Sequence, residues 1–259
     1  MTLFCPRTGR YKTTIPHRVR KYRMLEIIYA LIVTHITIVC VTLYLHRCQA
    51  HRSMEFHPAL AHFMRFWLWI TTGMTTKQWV AVHRMHHQRT DVEGDPHSPH
   101  VFGIWRLLFS GWSLYHSATK DPAMVVKYGA GTPNDSAELF YTRYHSKGIY
   151  LMLLLNILLL GWVGVIVWAV QMIWIPFWAA GFINGVGHWW GYRNGHTEDH
   201  SRNIVPWGIL IGGEELHNNH HLAPAEAKLS RRWFEFDAGW AWFKLFEFLG
   251  LATARTRSV

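Results

Sequence analysis

Cysteine is scarce in this chain of 259 residues: there are three, Cys5, Cys40 and Cys48. No CxxC pair occurs, which excludes a disulfide-stapled scaffold and suits a reducing compartment. Cys40 lies in an apolar run and reads as a small core residue. Charge is sparse as well, at 16% of residues, and acids are outnumbered by bases, 16 Asp and Glu against 26 Lys and Arg. The resulting net charge of +10 suits anionic lipid or an acidic protein partner. No nucleic-acid-binding module is visible, so nucleic acid is not an expected partner. No HExxH zinc-protease motif is present. An ExxH pair occurs as Glu214–His217, but the soluble di-iron carboxylate bundles need that pair twice, with further glutamates. Internal repeats and low-complexity tracts are also missing.

What the chain does have is aromatic and apolar. Trp, Tyr and Phe make up 15%, with 15 tryptophans, and Trp and Tyr concentrate at membrane–water interfaces. Leu25 to Leu45 is a 21-residue, largely apolar run with one charge, Glu26, at its start. That length spans a hydrocarbon core; it exceeds a signal-peptide core, and no small-residue cleavage site follows it. Residues 149–187 contain no Lys, Arg, Asp or Glu, and Gly161-Trp-Val-Gly164 marks a turn within them. They read as a helical hairpin. Residues 59–82 are apolar but interrupted by Arg65 and Lys77, which reads as one tilted or interfacial helix. The spacing therefore predicts an all-α polytopic membrane protein with few spans and a helical cap. Residues 1–24 form a basic N-terminal segment and 25–259 one domain, with 46–148 and 188–259 on the cytoplasmic side.

Topology follows by parity. Histidine clusters at 46–51, 83–87 and 217–221 share one metal site only if they lie on one face of the membrane. The hairpin 149–187 crosses twice and keeps the side, so 59–82 must not cross. The basic segment 1–24 carries seven Lys or Arg and no acid; a single span before the first cluster puts it opposite the cap, against the positive-inside tendency.

The three clusters are His46-Arg-Cys-Gln-Ala-His51, His83-Arg-Met-His86-His87 and His217-Asn-Asn-His220-His221. Imidazole suits Fe, Zn, Cu and Ni. Positions i, i+3 and i+4 share a helix face, so each of the last two clusters presents three rings one way. His46 and His51 lie roughly 140° apart on an α-helix, so a helix end or a bend is expected between them. Isolated histidines, His17, His35, His57, His62, His116 and His145, read as interfacial or packed. Glu214, Asp95, Glu198 and Asp199 are candidates to fix imidazole tautomers.

The order HxxxxH, HxxHH, HxxHH, with an apolar hairpin between the second and third boxes, resembles the integral-membrane fatty acyl desaturases. The likeness covers roughly residues 30–251. Asn184-Gly-Val-Gly-His188-Trp-Trp-Gly-Tyr-Arg193 resembles the NxxxHxxGYR stretch of stearoyl-CoA-type enzymes, and Gly213-Glu214-Glu-Leu-His217-Asn-Asn-His220-His221 resembles their GExxHNxHH box. Asp95-Pro96-His97 and Trp79 also have counterparts. The wording of the first box and the short length look most like short bacterial Δ9 desaturases.

This resemblance implies two iron ions held by His46, His51, His83, His86, His87, His188, His217, His220 and His221, with Asn184 holding a metal-bound water. It implies O2-dependent insertion of a cis double bond, at Δ9, into a saturated acyl chain on phospholipid or coenzyme A, with Trp79 a candidate for the wall of an acyl tunnel. The chain shows no fused cytochrome b5-like region, so a separate ferredoxin-like or cytochrome b5-like donor with its reductase is expected. Location in a bacterial inner membrane with the site facing the cytoplasm is expected too. Animal relatives have two spans before the first box where this chain shows one, and its loop 117–147 differs from their coenzyme A segment. The carrier therefore stays open among phospholipid, coenzyme A and acyl carrier protein. Rival readings are a histidine-box hydroxylase of lipid, sterol or carotenoid, and, from a different class, a metal transporter or haem protein. Transport ligands belong near mid-bilayer, whereas Arg47, Arg52, Arg84 and Arg89 flank these boxes.

Overall fold

A computed structural model describes residues 17–255, with side chains described from Met24 onward. Cys5, the His17 side chain and most of the basic 1–24 segment lie outside this description. Helix α1 (His17–Val39) passes without interruption into a π-helical stretch, Cys40–Ala50. A short strand β1 (Met54–Phe56) leads to α2 (Pro58–Thr72) and α3 (Thr76–Arg89). The chain continues through α4 (Pro99–Phe102), α5 (Ile104–Ala118), α6 (Pro122–Tyr128) and α7 (Ser136–Arg143). An apolar hairpin follows: α8 (His145–Leu160) and α9 (Val163–Ile175), the latter extended by a second π stretch, Pro176–Ile183, and by α10 (Asn184–Val186). Strand β2 (Trp207–Gly208), α11 (His217–Leu222), β3 (Phe236–Asp237), α12 (Ala238–Phe248) and β4 (Ala252–Ala254) complete the order.

The all-helical expectation holds apart from two small pairings, β1 antiparallel to β4 and β2 parallel to β3. Among the described residues two helical runs are long and apolar enough to cross a membrane, Met24–Ala50 and Val163–Val186; the apolar helix His145–Leu160 is shorter. The hairpin turn falls at Gly161, whose φ of 61° suits a residue without Cβ. Residues 59–82 differ from expectation, since two helices replace one. Gly73 adopts φ 66° and closes α2, its N–H bonding to the Trp69 carbonyl at 3.2 Å. That left-handed cap is a helix stop, and it lets α3 leave in a new direction with the second box.

The main core gathers Leu43, Tyr44 and Leu45 of the first π stretch, Met64 and Leu68 of α2, Ile183, Ile211, and Phe243 of α12. Burying each of these side chains contributes roughly 1.5–3 kcal/mol. A buried Arg47–Asp237 pair, bidentate at 2.9 and 3.0 Å, ties the first box to the start of α12. Helix α5 packs directly on the second π stretch. A Cβ at Gly181 would stand 2.6 Å from the Leu108 carbonyl and one at Gly111 3.0 Å from that of Ala180, so glycine is what permits the backbones to touch. Pro176 opens that stretch; without an N–H it cannot complete an α-helical rung, and the ladder widens there.

Candidate metal centre

The π register answers the problem posed by His46 and His51. The His51 N–H bonds the His46 carbonyl at 3.1 Å, an i→i+5 closure. Such a helix holds about 4.4 residues per turn, so five residues come round to within about 50° of the start. No bend is required: a wider helix brings both rings to one place. On α3, the N–H and hydroxyl of its first residue, Thr76, donate to the Glu138 carboxylate of α7 at 2.7 and 3.1 Å, fixing the start of the helix that carries His83, His86 and His87. Asn218 and Asn219 lock the third box. Asn218 accepts from the Asn194 N–H, and Asn219 bonds Asn203, Glu235 and the Leu229 carbonyl.

The nine histidines converge in two groups. The ligand nitrogens of His46, His51, His83, His87 and His220 all lie within 4.8 Å of one another, and so do those of His86, His188, His217 and His221. Nε2 atoms meet at 2.7 Å for His51 and His83, 2.8 Å for His87 and His220, 2.9 Å for His188 and His217, and 3.1 Å for His46 and His220. A ring of four carboxylates orients the imidazoles from outside. Each Nδ1–H donates outward: His46 to Glu214 at 2.9 Å, His86 to Asp95 at 3.0 Å, His188 to Asp91 at 2.8 Å, and His221 to Asp199 at 2.8 Å. A neutral imidazole carries one N–H, so this fixes the lone pair of each ring on Nε2, facing inward. His86 Nε2 and His221 Nε2 are buried and find no donor among the described residues. Inward lone pairs with no N–H to satisfy them are what a cation completes, and the all-imidazole donor set fits a first-row transition metal, iron included.

Electrostatics agree. Burial, reinforced by neighbouring imidazoles, pushes His51, His83, His87, His217 and His220 well below the usual histidine range. Burial lowers His221 to about 4 despite the Asp199 bond. Burial works against the Asp95 carboxylate, yet the His86 charge and hydrogen bond outweigh it and hold Asp95 down to about 2. Asp91 behaves likewise: burial opposes its charge, but His188, Ser98 and the His200 N–H together leave it well below the carboxylate range. The lowered rings stay neutral near pH 7 while Asp91 and Asp95 stay ionised beside them, a ligand set ready for a cation.

The eight histidines of the three boxes and His188 come together here, and Asp95, Glu214 and Asp199 each reach a ring. Glu198 is exposed, and among the described residues it makes no hydrogen bond to a box histidine. Asp91 is a residue that sequence reasoning missed; its one local signal is its place four residues after His87. Trp79 stacks on His83 at 5.0 Å and meets His46 edge-on at 6.2 Å. It lines a cavity of about 280 Å³ that begins at His46, His83 and His217. Asn184 also lines it, and its Nδ2 donates to the carbonyls of Ala179 and Ala180, leaving Oδ1 as the free acceptor. Of the isolated histidines, His35 accepts from Trp242 and His62 pairs with Arg65, as packed residues do, whereas His116 and His145 line the far part of the cavity.

Comparison with known proteins agrees with this geometry. The fatty acid desaturase family model matches residues 24–252. The chain is 31% identical over 218 residues to an sn-1 stearoyl-lipid 9-desaturase of Anabaena variabilis, covering 82% of this chain and 77% of that protein. It is 32% identical over 220 residues to Delta-9 acyl-lipid desaturase 2 of Arabidopsis thaliana, covering 82% and 69%. It is 33% identical over 219 residues to an acyl-CoA C20 Delta5-desaturase of Anemone leveillei, covering 82% and 67%. With the three boxes inside the matched region and their rings gathered at one cavity, the chain belongs to the fatty acid desaturase family and is an oxidoreductase that desaturates fatty acyl chains.

Proposed function

We propose that the nine imidazoles hold two iron ions, five rings on one and four on the other, with Asn184 Oδ1 holding a water beside the four-ring set. The observation that carries this reading is the partition itself, five and four with no ring shared. Bound iron supplies the activation of O2. The residues supply placement: Glu214, Asp95, Asp91 and Asp199 hold the tautomers, and Trp79 fixes His83 while walling the acyl channel. A chain methylene has no polar handle, so the bond to be oxidised is chosen by distance along an apolar channel.

Overall, one O2, two electrons and two protons convert –CH2–CH2– to cis –CH=CH– and release two waters. A separate ferredoxin-like or cytochrome b5-like protein supplies the electrons, and the +10 net charge suits an acidic partner. Residues 25–259 form one desaturase domain, placed in a bacterial inner membrane with the iron site toward the cytoplasm. Δ9 rests on the relatives so named, which outnumber the similar Delta5 relative.

Expression in a host lacking desaturases tests this. Metal analysis of the purified protein is expected to give two irons per chain, and lipid profiling by mass spectrometry new cis-monoenes whose disulfide adducts locate the bond at C9. Hydroxylated chains without new double bonds would instead support the hydroxylase reading, and one iron or zinc per chain would remove the di-iron assignment.

A further inference from the structure

The cavity that starts at the imidazoles ends at an opening on the molecule's flank. Its rim is built by Trp112 and His116 of α5, Thr142 of α7 and His145, the first residue of α8, all exposed. From this rim α8 runs directly into an apolar helix that exposes Leu154, Leu158 and Leu159. The opening therefore sits where the apolar surface begins, at the depth of lipid ester groups.

Helix α5 carries the same signature. Trp105 and Phe109 fall at i and i+4 on one helix face, Trp112 follows a kink at Ser110, and the three are 71%, 68% and 55% exposed. Trp105 stacks on Phe109, and Phe109 contacts Phe177 of the apolar run Val163–Val186. An aromatic ridge continuous with a membrane-length helix is unfavourable in water and at home in a headgroup layer.

Besides the imidazoles of His97 and His217, two polar groups that line the cavity are unmatched among the described residues. Gln171 is 5% exposed, and its Nε2 has no partner among the described residues. Its orientation is imposed by a relay within the apolar helices: Tyr29 donates to Asn156 Oδ1 at 2.7 Å, and Asn156 Nδ2 donates to Gln171 Oε1 at 3.1 Å. With Oε1 engaged, the NH2 is the free end. On another wall the Tyr115 hydroxyl is buried and also unpartnered. A buried donor left unmade costs about 1–3 kcal/mol. The hydrocarbon part of an acyl chain accepts no hydrogen bond; its ester does.

We propose that the substrate is an acyl chain still esterified to a membrane glycerolipid, that it enters sideways between α5 and α8, and that Gln171 and Tyr115 hydrogen-bond its ester oxygens. This rests on the desaturase reading and specifies the carrier. A thioester delivered from solution has no use for an aromatic rim at lipid depth.

The test uses the full chain, reconstituted with an electron donor in dioleoylphosphatidylcholine vesicles. One arm includes phosphatidylcholine bearing a deuterated stearoyl group; the other adds deuterated stearoyl-CoA. Mass spectrometry of intact lipids is expected to find the deuterated monoene on phosphatidylcholine, and Gln171→Leu or Tyr115→Phe is expected to slow it about five- to ten-fold, the worth of one hydrogen bond. Monoene formed only on the coenzyme A thioester overturns the proposal. A second measurement needs no turnover. Benzoylphenylalanine placed at Trp112 is expected to capture phosphatidylcholine on irradiation, and at the exposed Glu93 it is expected to capture none. Failure at Trp112 overturns the flank opening. Capture at Trp112 with monoene on neither carrier counts against the desaturase reading and leaves the opening standing.

Discussion

Asp91 accepts the Nδ1–H of His188 at 2.8 Å across 97 residues of sequence. The carboxylate also takes the Ser98 hydroxyl at 2.7 Å and the His200 N–H at 2.9 Å, so it is itself held in place. It sits at φ 62°, a left-handed conformation that Asp and Asn tolerate better than other side chains. The only ring contributed to the four-histidine group from outside the three boxes thus has a dedicated anchor.

Asp91→Asn keeps the backbone and the shape while removing the charge, so it isolates the anchor's electrostatic role. Iron affinity is expected to fall about 10–100-fold, the usual cost of losing an outer partner to a metal-bound histidine. The loss should be confined to one of the two irons. Metal analysis after dialysis against a chelator series, with Mössbauer spectra of the remaining iron, measures this. Equal loss of both irons would contradict the separate five-ring and four-ring sets.

The metal-free protein is expected to be acid-sensitive. His221 is held down to about 4, and His51, His83, His87, His217 and His220 are also lowered, all chiefly by burial. Above the unfolded histidine pKa, near 6.5, folded and unfolded chains bind the same protons and stability is flat. Below it the unfolded chain takes up protons that the folded rings refuse, so stability falls from about pH 6.5 toward pH 4, by up to roughly 3 kcal/mol for a group like His221. Thermal unfolding of the iron-free protein in detergent should therefore give a markedly lower Tm at pH 5.5 than at pH 7.5. An unchanged Tm would mean that the rings are already protonated in the fold.

Trp79 does two things at once, stacking on His83 and bounding the channel. Trp79→Ala is expected to leave a void beside the iron site and to let the acyl chain shift along its axis. Products should then include monoenes with the bond moved by a carbon or two, at a rate at least about ten-fold lower, a size typical of a misplaced substrate. Trp79→Phe, which keeps a ring against His83, should retain the single bond position. Gas chromatography of the adducts separates these outcomes; an unaltered product pattern in Trp79→Ala would place the channel elsewhere.

Sequence pattern made some of this legible and left the rest hidden for identifiable reasons. His83, His86 and His87 obey α-helical spacing, as do His217, His220 and His221, so their shared faces follow from periodicity. His46 and His51 do not, because their convergence depends on an i→i+5 register that leaves no mark in residue spacing. Glu214 stands three residues before His217, yet it serves His46, and only tertiary structure reveals that exchange. Asp91 pairs with a residue brought back by the whole hairpin. The break at Gly73 was legible in principle, since Gly-Met-Thr-Thr is a stop followed by a start, but the apolar run on both sides masked it.

The buried Arg47–Asp237 pair offers the sharpest energetic test. Arg47 is 1% exposed and, besides Asp237, donates to the carbonyls of Ala227 and Gly212. Asp237 also accepts from the Leu229 and Trp240 N–H groups. Arg47→Met strands a buried carboxylate and is expected to cost about 3–5 kcal/mol, which lowers Tm by roughly 10 °C for a chain of this size. Lysine cannot reproduce the two-pronged contact, so Arg47→Lys should fall between. The double variant Arg47→Met with Asp237→Leu removes both charges and should be less damaging than the sum of the single changes. Because Arg47 adjoins His46, the single variant should also lose iron from the five-ring set. A Tm unchanged in Arg47→Met, measured by thermal scanning in detergent, would show that this pair does not fasten the first box to the C-terminal helix.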